Sequence, residues 1–149
     1  MAFQEIKTGA LSDLVFHEVD PASGYARRVV EISDTDTEIP MGTVVFRSAS
    51  AAAGAPFAVA EVGDLHEDGV AADVELAVVF GDRYGCKGVF TTGASGNTGA
   101  VAFVRGEVQL KDYLIMEALG ITDRGSDDYL ALKEILERQG VIIERTMGV

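Results

Sequence analysis

The side chain best suited to nucleophilic chemistry is Cys86, the only cysteine in this 149-residue chain. The neighbouring Lys87 cation would favour its thiolate form. A thiol nucleophile also needs a base, and nothing in the spacing of His17 and His66 brings either of them to the sulfur. We therefore interpret Cys86 as a small residue in a turn beside a strand. A hydrolase or thiol enzyme is the least favoured function.

The sequence contains no motif with the residue spacing of a metal-binding or phosphate-binding site. The acidic segment 64–68 contains His66, but its pattern is typical of a solvated turn between strands rather than of a ligand set. The glycine-rich segment 93–99 lacks the Lys-Ser/Thr that ends a P-loop, and it leads into a strand instead of a helix. We therefore predict no catalytic residue, no metal and no cofactor, and interpret segment 93–99 as a hairpin loop.

The charge of the chain argues against nucleic acid as a partner. Asp and Glu number 24 against 12 Lys and Arg, for a net charge of −12. Such a surface repels a phosphate backbone unless the cations are segregated, and the longest basic cluster is Arg27-Arg28, which we interpret as a solvated strand edge. The sequence contains no run of about 18 apolar residues, so it predicts no membrane span. The N-terminus does not have the basic start followed by an apolar stretch that predicts export, so we expect synthesis in the cytoplasm.

Alternating apolar residues, bounded by turn-forming residues, predict a series of β-strands through the first two thirds of the chain. The most strongly predicted strand is segment 73–80, a β-branched run that ends at Gly81-Asp82. The predicted strands cover residues 25–32, 41–46, 57–62, 73–80, 87–92 and 100–110.

Helices are predicted only in the last third. Residues 111–119 have apolar residues at helical spacing and stop at Gly120. A second helix, capped by Ser126 or Asp127, extends to residue 139 and is followed by a short terminal strand, 141–143. Its apolar stripe is expected to pack on the molecule's own sheet rather than on a partner. The stripe consists of Tyr129, Leu132, Ile135 and Leu136.

The organisation predicted from these elements is one mainly β (β-rich α+β) domain preceded by an arm. Residues 1–24 are largely polar with sparse apolar positions, and they end in the turn-forming run 20–24. Residues 25–149 contain every other predicted element, with no internal repeat and no sign of a second domain. We therefore predict an extended N-terminal arm, 1–24, and a single β-rich domain, 25–149.

The order of these segments resembles the phage head decoration protein family. The similarity is one of order and texture over about 120 residues, since each fragment is unspecific alone. Val45-Phe46 stands where the family usually has Leu-Gly, and the loop 82–88 has no counterpart that aligns. The resembling segments are 15–20, 25–30, 39–46, 58–62, 77–80, 102–108 and 132–143.

The resemblance implies a compact β-barrel or β-tulip-like domain with short C-terminal helices, usually a homotrimer. It also implies a non-enzymatic protein on the outer surface of the virion capsid. Proteins of this family bind neighbouring major capsid protein subunits on the expanded phage head and stabilise it against internal DNA pressure. The partners so implied are the major capsid protein and further copies of this chain, with no nucleic acid and no membrane.

The N-terminal arm of this family commonly orders on binding and adds as a strand to a capsid-protein sheet. Carried onto this sequence, the resemblance implies a capsid-binding arm whose apolar anchors are Phe3, Ile6, Leu11, Leu14 and Phe16. The alternative function is a stand-alone β-barrel binding or enzyme-accessory module. A monomer with a closed apolar pocket and a small-molecule ligand would favour that alternative.

Overall fold

The computed structural model of the chain describes residues 13–18, 26–85 and 87–145. Predictions that concern residues 1–12, 19–25, 86 and 146–149 lie outside the described residues. The elements, in chain order, are β1 (Val15–Glu18), β2 (Arg27–Ile32), β3 (Glu38–Pro40), β4 (Val44–Ser48), β5 (Ala58–Val59), a 3-10 helix (Val62–Leu65), β6 (His66–Glu67), β7 (Val70–Ala71), β8 (Val74–Asp82), β9 (Val89–Thr91), β10 (Thr98–Phe103), β11 (Val108–Lys111), α1 (Tyr113–Leu119), α2 (Asp127–Arg138) and β12 (Val141–Glu144).

The largest sheet has the strand order β2-β10-β8-β4-β5, and its named pairs are antiparallel. Its centre is β8, the strand that the sequence predicts most strongly. Both faces of β8 are covered, because the consecutive residues 76–79 are all fully buried. Since successive side chains point to opposite faces, a continuous apolar run is what a doubly covered strand requires.

Each face of this sheet contributes to a separate apolar core. The larger core contains Leu76 and Val78 and includes residues of both helices and of the sheet β1-β11-β12. The smaller core contains Ala77 and Val79, whose side chains lie on the other face of β8. Its other buried members are Val30, Ile32, Ile39, Val45, Phe57, Ala100, Ala102 and Val104.

The mainly β fold with C-terminal helices is confirmed, but the barrel is not. The two edges of the large sheet meet at a single bridge, in which the Phe57 N–H donates to the Glu31 carbonyl and the Ser33 N–H donates to the Phe57 carbonyl, both at 2.8 Å. A closing ladder would need a longer strand at this point. The predicted strand 57–62 provides only two strand residues, β5, before the chain turns into the 3-10 helix.

Both helices agree with their predicted bounds to within two residues. α1 ends at Gly120, which has φ of +75°, and the Ser126 hydroxyl caps α2 by accepting a hydrogen bond from the Tyr129 N–H at 3.2 Å. The predicted apolar stripe of α2 is buried in the larger core, as expected. Neither helix of the described ranges is long and apolar enough to cross a membrane.

Two sequence predictions, one of a strand and one of a hairpin loop, are wrong where the chain passes from one sheet to another. The predicted strand 100–110 is two strands, β10 in the large sheet and β11 in the small one, with Gly106 at φ of +80° between them. The loop 93–99 is not a hairpin, because β9 pairs with β3 while β10 pairs with β2 and β8. Periodicity predicts a strand locally, but the identity of its neighbour depends on contacts far apart in sequence.

Candidate protein-binding surfaces

The strand β1 is the outermost strand of the three-stranded sheet β1-β11-β12. It pairs antiparallel with β11, and the register shifts between Val15 and His17. The Leu14 carbonyl accepts a hydrogen bond from the Lys111 N–H at 2.6 Å, so the pairing extends one residue before the strand. The segment 1–12 is therefore joined to the domain at the edge of a sheet.

Of the five predicted arm anchors, two are described, and the structure separates them. Leu14 is fully buried in the larger core, whereas Phe16 is 52% exposed. The Lys111 ammonium lies 5.4 Å from the centroid of the Phe16 ring, within the range of a cation–π contact. Phe3, Ile6 and Leu11 lie outside the described residues. Within the predicted arm, residues 13–18 thus belong to the folded domain.

An ion pair holds the end of β1 against β2. The Glu18 carboxylate, which is 4% exposed, accepts hydrogen bonds from the Arg27 guanidinium, the shortest at 2.6 Å. The same guanidinium lies 5.9 Å and 5.7 Å from the ring centroids of Phe80 and Phe103. Arg27 is therefore a partly buried structural cation, and the prediction of a solvated edge holds only for its exposed neighbour Arg28.

The outer edge of β2 is a second strand edge. The Glu31 carbonyl accepts a hydrogen bond from Phe57 and so points away from β10. Backbone groups alternate in direction along a strand, so those of Arg27 and Val29 point the same way. Among the described residues no strand pairs with β2 there. This edge, with Val29 49% exposed, is able to accept an added strand.

A groove of about 520 Å³ lies at the C-terminal end of β8. Four of its lining residues, Arg83, Tyr84, Lys87 and Phe90, give it a cationic and aromatic character, and we call these four residues the cationic groove. Tyr84 is 81% exposed. The one carboxylate in the lining, that of Asp82, accepts a hydrogen bond from the Lys87 N–H at 3.2 Å.

The strands β6 and β7 form a short hairpin at the other end of β8. Its two-residue turn, Asp68-Gly69, has φ values of +52° and +78°, the signature of a type I′ turn. Val70 is 63% exposed, and it lines a groove of about 260 Å³ together with Leu130 of α2, which is 53% exposed. Asp127 also lines this groove. We call the set Glu67, Asp68, Val70, Asp127 and Leu130 the acidic hairpin end.

His66 joins the hairpin to α2. Its Nε2 atom lies 2.7 Å from Oδ1 of Asp128, and the Asp64 carboxylate accepts a hydrogen bond from the Glu61 N–H at 2.9 Å. The segment 64–68, predicted as a solvated turn between strands, instead comprises the end of the 3-10 helix, strand β6 and the first residue of the hairpin turn, and its Leu65 is fully buried. Within residues 13–18, 26–85 and 87–145, no group of three or more His, Cys, Asp or Glu side chains could hold a metal ion.

A buried polar network lies at the start of α1. The fully buried Asp112 carboxylate accepts hydrogen bonds from the Arg124 guanidinium at 2.6 and 2.8 Å and from the Tyr129 hydroxyl at 2.9 Å. The pKa of Tyr129 is raised to about 12, mainly by burial and, to a smaller extent, by the hydrogen bond to Asp112. The hydrogen bond to Asp112 likewise raises the pKa of Arg124. These side chains line neither groove, and they join the two helices.

Sequence reasoning missed both grooves and the Asp112 network. The partners in the network are 12 and 17 residues apart, so no local spacing reveals them. The Asp-Gly pair at 68–69 was a usable signal, since this dipeptide favours type I′ hairpins. Cys86, the thiol considered in the sequence analysis, lies outside the described residues.

Comparisons of the chain with family models, with curated proteins and with solved structures found no match.

Proposed function

We propose that the protein is a capsid decoration protein, which binds the outer surface of the expanded phage head and stabilises it against internal DNA pressure. The observation that carries this proposal is the position of β1 at a sheet edge, two residues after segment 1–12. An arm that starts from a sheet edge can extend onto a neighbouring protein and add there as a strand. This geometry suits a protein that clamps adjacent subunits of a shell.

In this proposal Phe3, Ile6 and Leu11 are the arm residues that contact the major capsid protein. Main-chain hydrogen bonds to a capsid-protein sheet supply affinity, and the apolar side chains supply specificity. Leu14 has a different role, because its burial in the larger core fixes the base of the arm to the domain. Phe16 is exposed beside that base and extends the apolar contact surface.

The proposed assembly is a homotrimer on the virion surface, with the major capsid protein as its partner. Three arms on one trimer raise the effective concentration at the shell, so individually weak contacts combine into stable binding. The net charge of −12 keeps so dense a surface layer from associating further. No catalytic step is part of this proposal.

Cosedimentation with capsids tests the proposal. Expanded capsids stripped of the protein and unexpanded procapsids are each mixed with increasing amounts of full-length protein. We expect saturable binding to expanded shells alone. Absence of binding to both shells would refute the decoration function, and a small-molecule ligand screen would then test the alternative of a stand-alone binding module.

The arm mechanism is tested with a deletion of residues 1–12. The deletion stops before Asp13 because Leu14 belongs to the core, and a longer deletion would confuse lost binding with lost folding. We expect the truncated protein to keep its urea unfolding midpoint and to bind expanded capsids at least about tenfold more weakly.

Paired substitutions in the arm provide the matched control. Phe3→Ala with Ile6→Ala should weaken capsid binding, whereas Gln4→Ala with Thr8→Ala should not, because only the first pair removes apolar anchors. Equal capsid binding by the full-length and truncated proteins would mean that the shell contacts the domain rather than the arm.

A further inference from the structure

The cationic groove and the acidic hairpin end lie at opposite ends of the central strand β8. The hairpin precedes Val74, where β8 begins, and the groove starts at Asp82, where it ends. A strand rises about 3.3 Å per residue, so the ends of this nine-residue strand are roughly 26 Å apart. The two surfaces therefore cannot meet within one copy of the chain.

The chemistry of the two surfaces is complementary. The groove presents the Arg83 and Lys87 cations together with the Tyr84 and Phe90 rings. Arg83 forms an exposed ion pair with Glu31 at 3.4 Å, and an exposed pair at this distance is weak enough to exchange for another carboxylate. Tyr and Arg are, with Trp, the residue types enriched among the few that dominate binding energy at protein interfaces.

The acidic hairpin end has the acidic and apolar side chains that a cationic and aromatic groove binds. Glu67 and Asp68 are exposed carboxylates at the turn, and Val70 adds a side chain that is 63% exposed. The hairpin is narrow, because two residues connect its strands. On α2, the exposed carboxylate of Asp127 and the exposed Leu130 extend the same combination of acidic and apolar character. In a chain with a net charge of −12, such segregation of charge is needed before two copies can attract each other.

We propose that the hairpin turn, residues 67–70, of one copy docks into the cationic groove of a second copy. Glu67 and Asp68 then face Arg83 and Lys87, and Val70 packs on the aromatic rings. Because two different surfaces meet, the contact is heterologous and repeats head to tail until a ring closes. The number of copies in the ring, three, rests on the proposed function. The surfaces themselves follow from the described residues.

Disulfide trapping with the native thiol tests the contact. Glu67→Cys places a second thiol at the hairpin, and the native Cys86 immediately precedes the groove residue Lys87 in the sequence. Mild oxidation of the purified full-length variant should produce covalent dimers and trimers on a non-reducing gel. The same variant with Cys86→Ser should lose them, because the bond joins positions 67 and 86 of different copies.

The matched control is Thr122→Cys, which places a thiol at an exposed position in the loop between α1 and α2. Equal crosslinking from positions 67 and 122 would overturn the proposal, as would crosslinks that survive Cys86→Ser, since these would join two hairpins symmetrically. Capsid cosedimentation of the unmodified protein is read separately. Failure of this contact is therefore distinguishable from failure of the decoration function.

Charge exchange gives a second, independent measurement. Lys87→Glu should weaken self-association by about tenfold in light scattering across a concentration series, because it places like charges together. Lys87→Glu combined with Glu67→Lys should restore it. Arg28→Glu makes the same change in net charge at an exposed site outside both surfaces, and it should leave association unchanged. Equal effects of Lys87→Glu and Arg28→Glu, without rescue, would contradict the contact.

Discussion

At the scale of single residues, the Asp112 network is the feature whose loss should most affect stability. A fully buried carboxylate is costly unless its charge is compensated, and here Arg124 and Tyr129 provide the compensation. Tyr129 also belongs to the apolar stripe of α2, so one side chain joins the polar network to the larger core. Its protonation state should therefore be coupled to folding.

The pH dependence of unfolding should report this coupling. The folded protein holds the Tyr129 proton more tightly than the unfolded chain, since its pKa is raised from 10.0 to about 12. Its contribution to stability is therefore complete below pH 10.0 and is lost as the pH rises toward about 12. Tyr129→Phe should be about 1 kcal/mol less stable below this range, and its stability should fall less steeply within it.

Urea midpoints of both proteins, measured at several values of pH between neutral and strongly alkaline, check this prediction. Tyr84→Phe is the control, because that side chain is 81% exposed, and this variant should keep the wild-type profile. Parallel profiles for Tyr129→Phe and the wild type would show that Tyr129 does not titrate with folding.

At the scale of elements, the turn between β3 and β4 positions the large sheet against α1. Gly42 has φ of +95°, and its N–H donates to the Val79 carbonyl at 2.9 Å. A Cβ atom at this position would lie 2.8 Å from the Leu114 Cβ and 2.9 Å from the Leu114 carbonyl carbon. The sheet and the helix can approach this closely only because position 42 has no side chain.

Gly42→Ala should therefore lower the free energy of unfolding by about 3 kcal/mol, through backbone strain together with overpacking. Gly54→Ala is the matched control, since Gly54 has φ of +88° but a Cβ atom added there would have no neighbour within 4 Å. It should cost only the strain, about 1 kcal/mol. Urea denaturation measures both variants, and equal losses would mean that α1 moves aside at no cost.

At the scale of the whole molecule, the larger core joins both helices, the large sheet and the sheet β1-β11-β12. The Gln139 side chain reinforces this connection, because it donates to the Leu76 and Val104 carbonyls and accepts from the Leu76 N–H. Elements that share one core and these hydrogen bonds should unfold together. We therefore expect a single cooperative unfolding transition.

Two substitutions in α2 test this expectation. Ile135→Ala, at a fully buried position, should cost about 3 kcal/mol and shift the whole transition, whereas Leu130→Ala, at a position 53% exposed, should cost less than about 1 kcal/mol. Urea midpoints followed by far-UV circular dichroism and by tyrosine fluorescence should coincide in each variant. Separate midpoints would show that the helical part unfolds independently of the sheet.

Several features were determined by the sequence alone, because their causes are local. The cap at Ser126, the stripe from Tyr129 to Leu136 and the glycine after each helix place α1 and α2 within two residues. The β-branched run before Gly81 identifies β8. Alternation and capping act between residues a few positions apart, so they can be read without knowing the fold.

The tertiary structure alone decided which segments become neighbours. It buried Leu14 and exposed Phe16, although both fitted one apolar arm, because β1 pairs with β11, about a hundred residues away, and the register of that pairing shifts between Val15 and His17. It divided segment 100–110 between two sheets, left the large sheet open, and placed the acidic hairpin end and the cationic groove at opposite ends of β8. Strand pairing is a contact between distant parts of the chain, and periodicity specifies that a strand forms without specifying its partner.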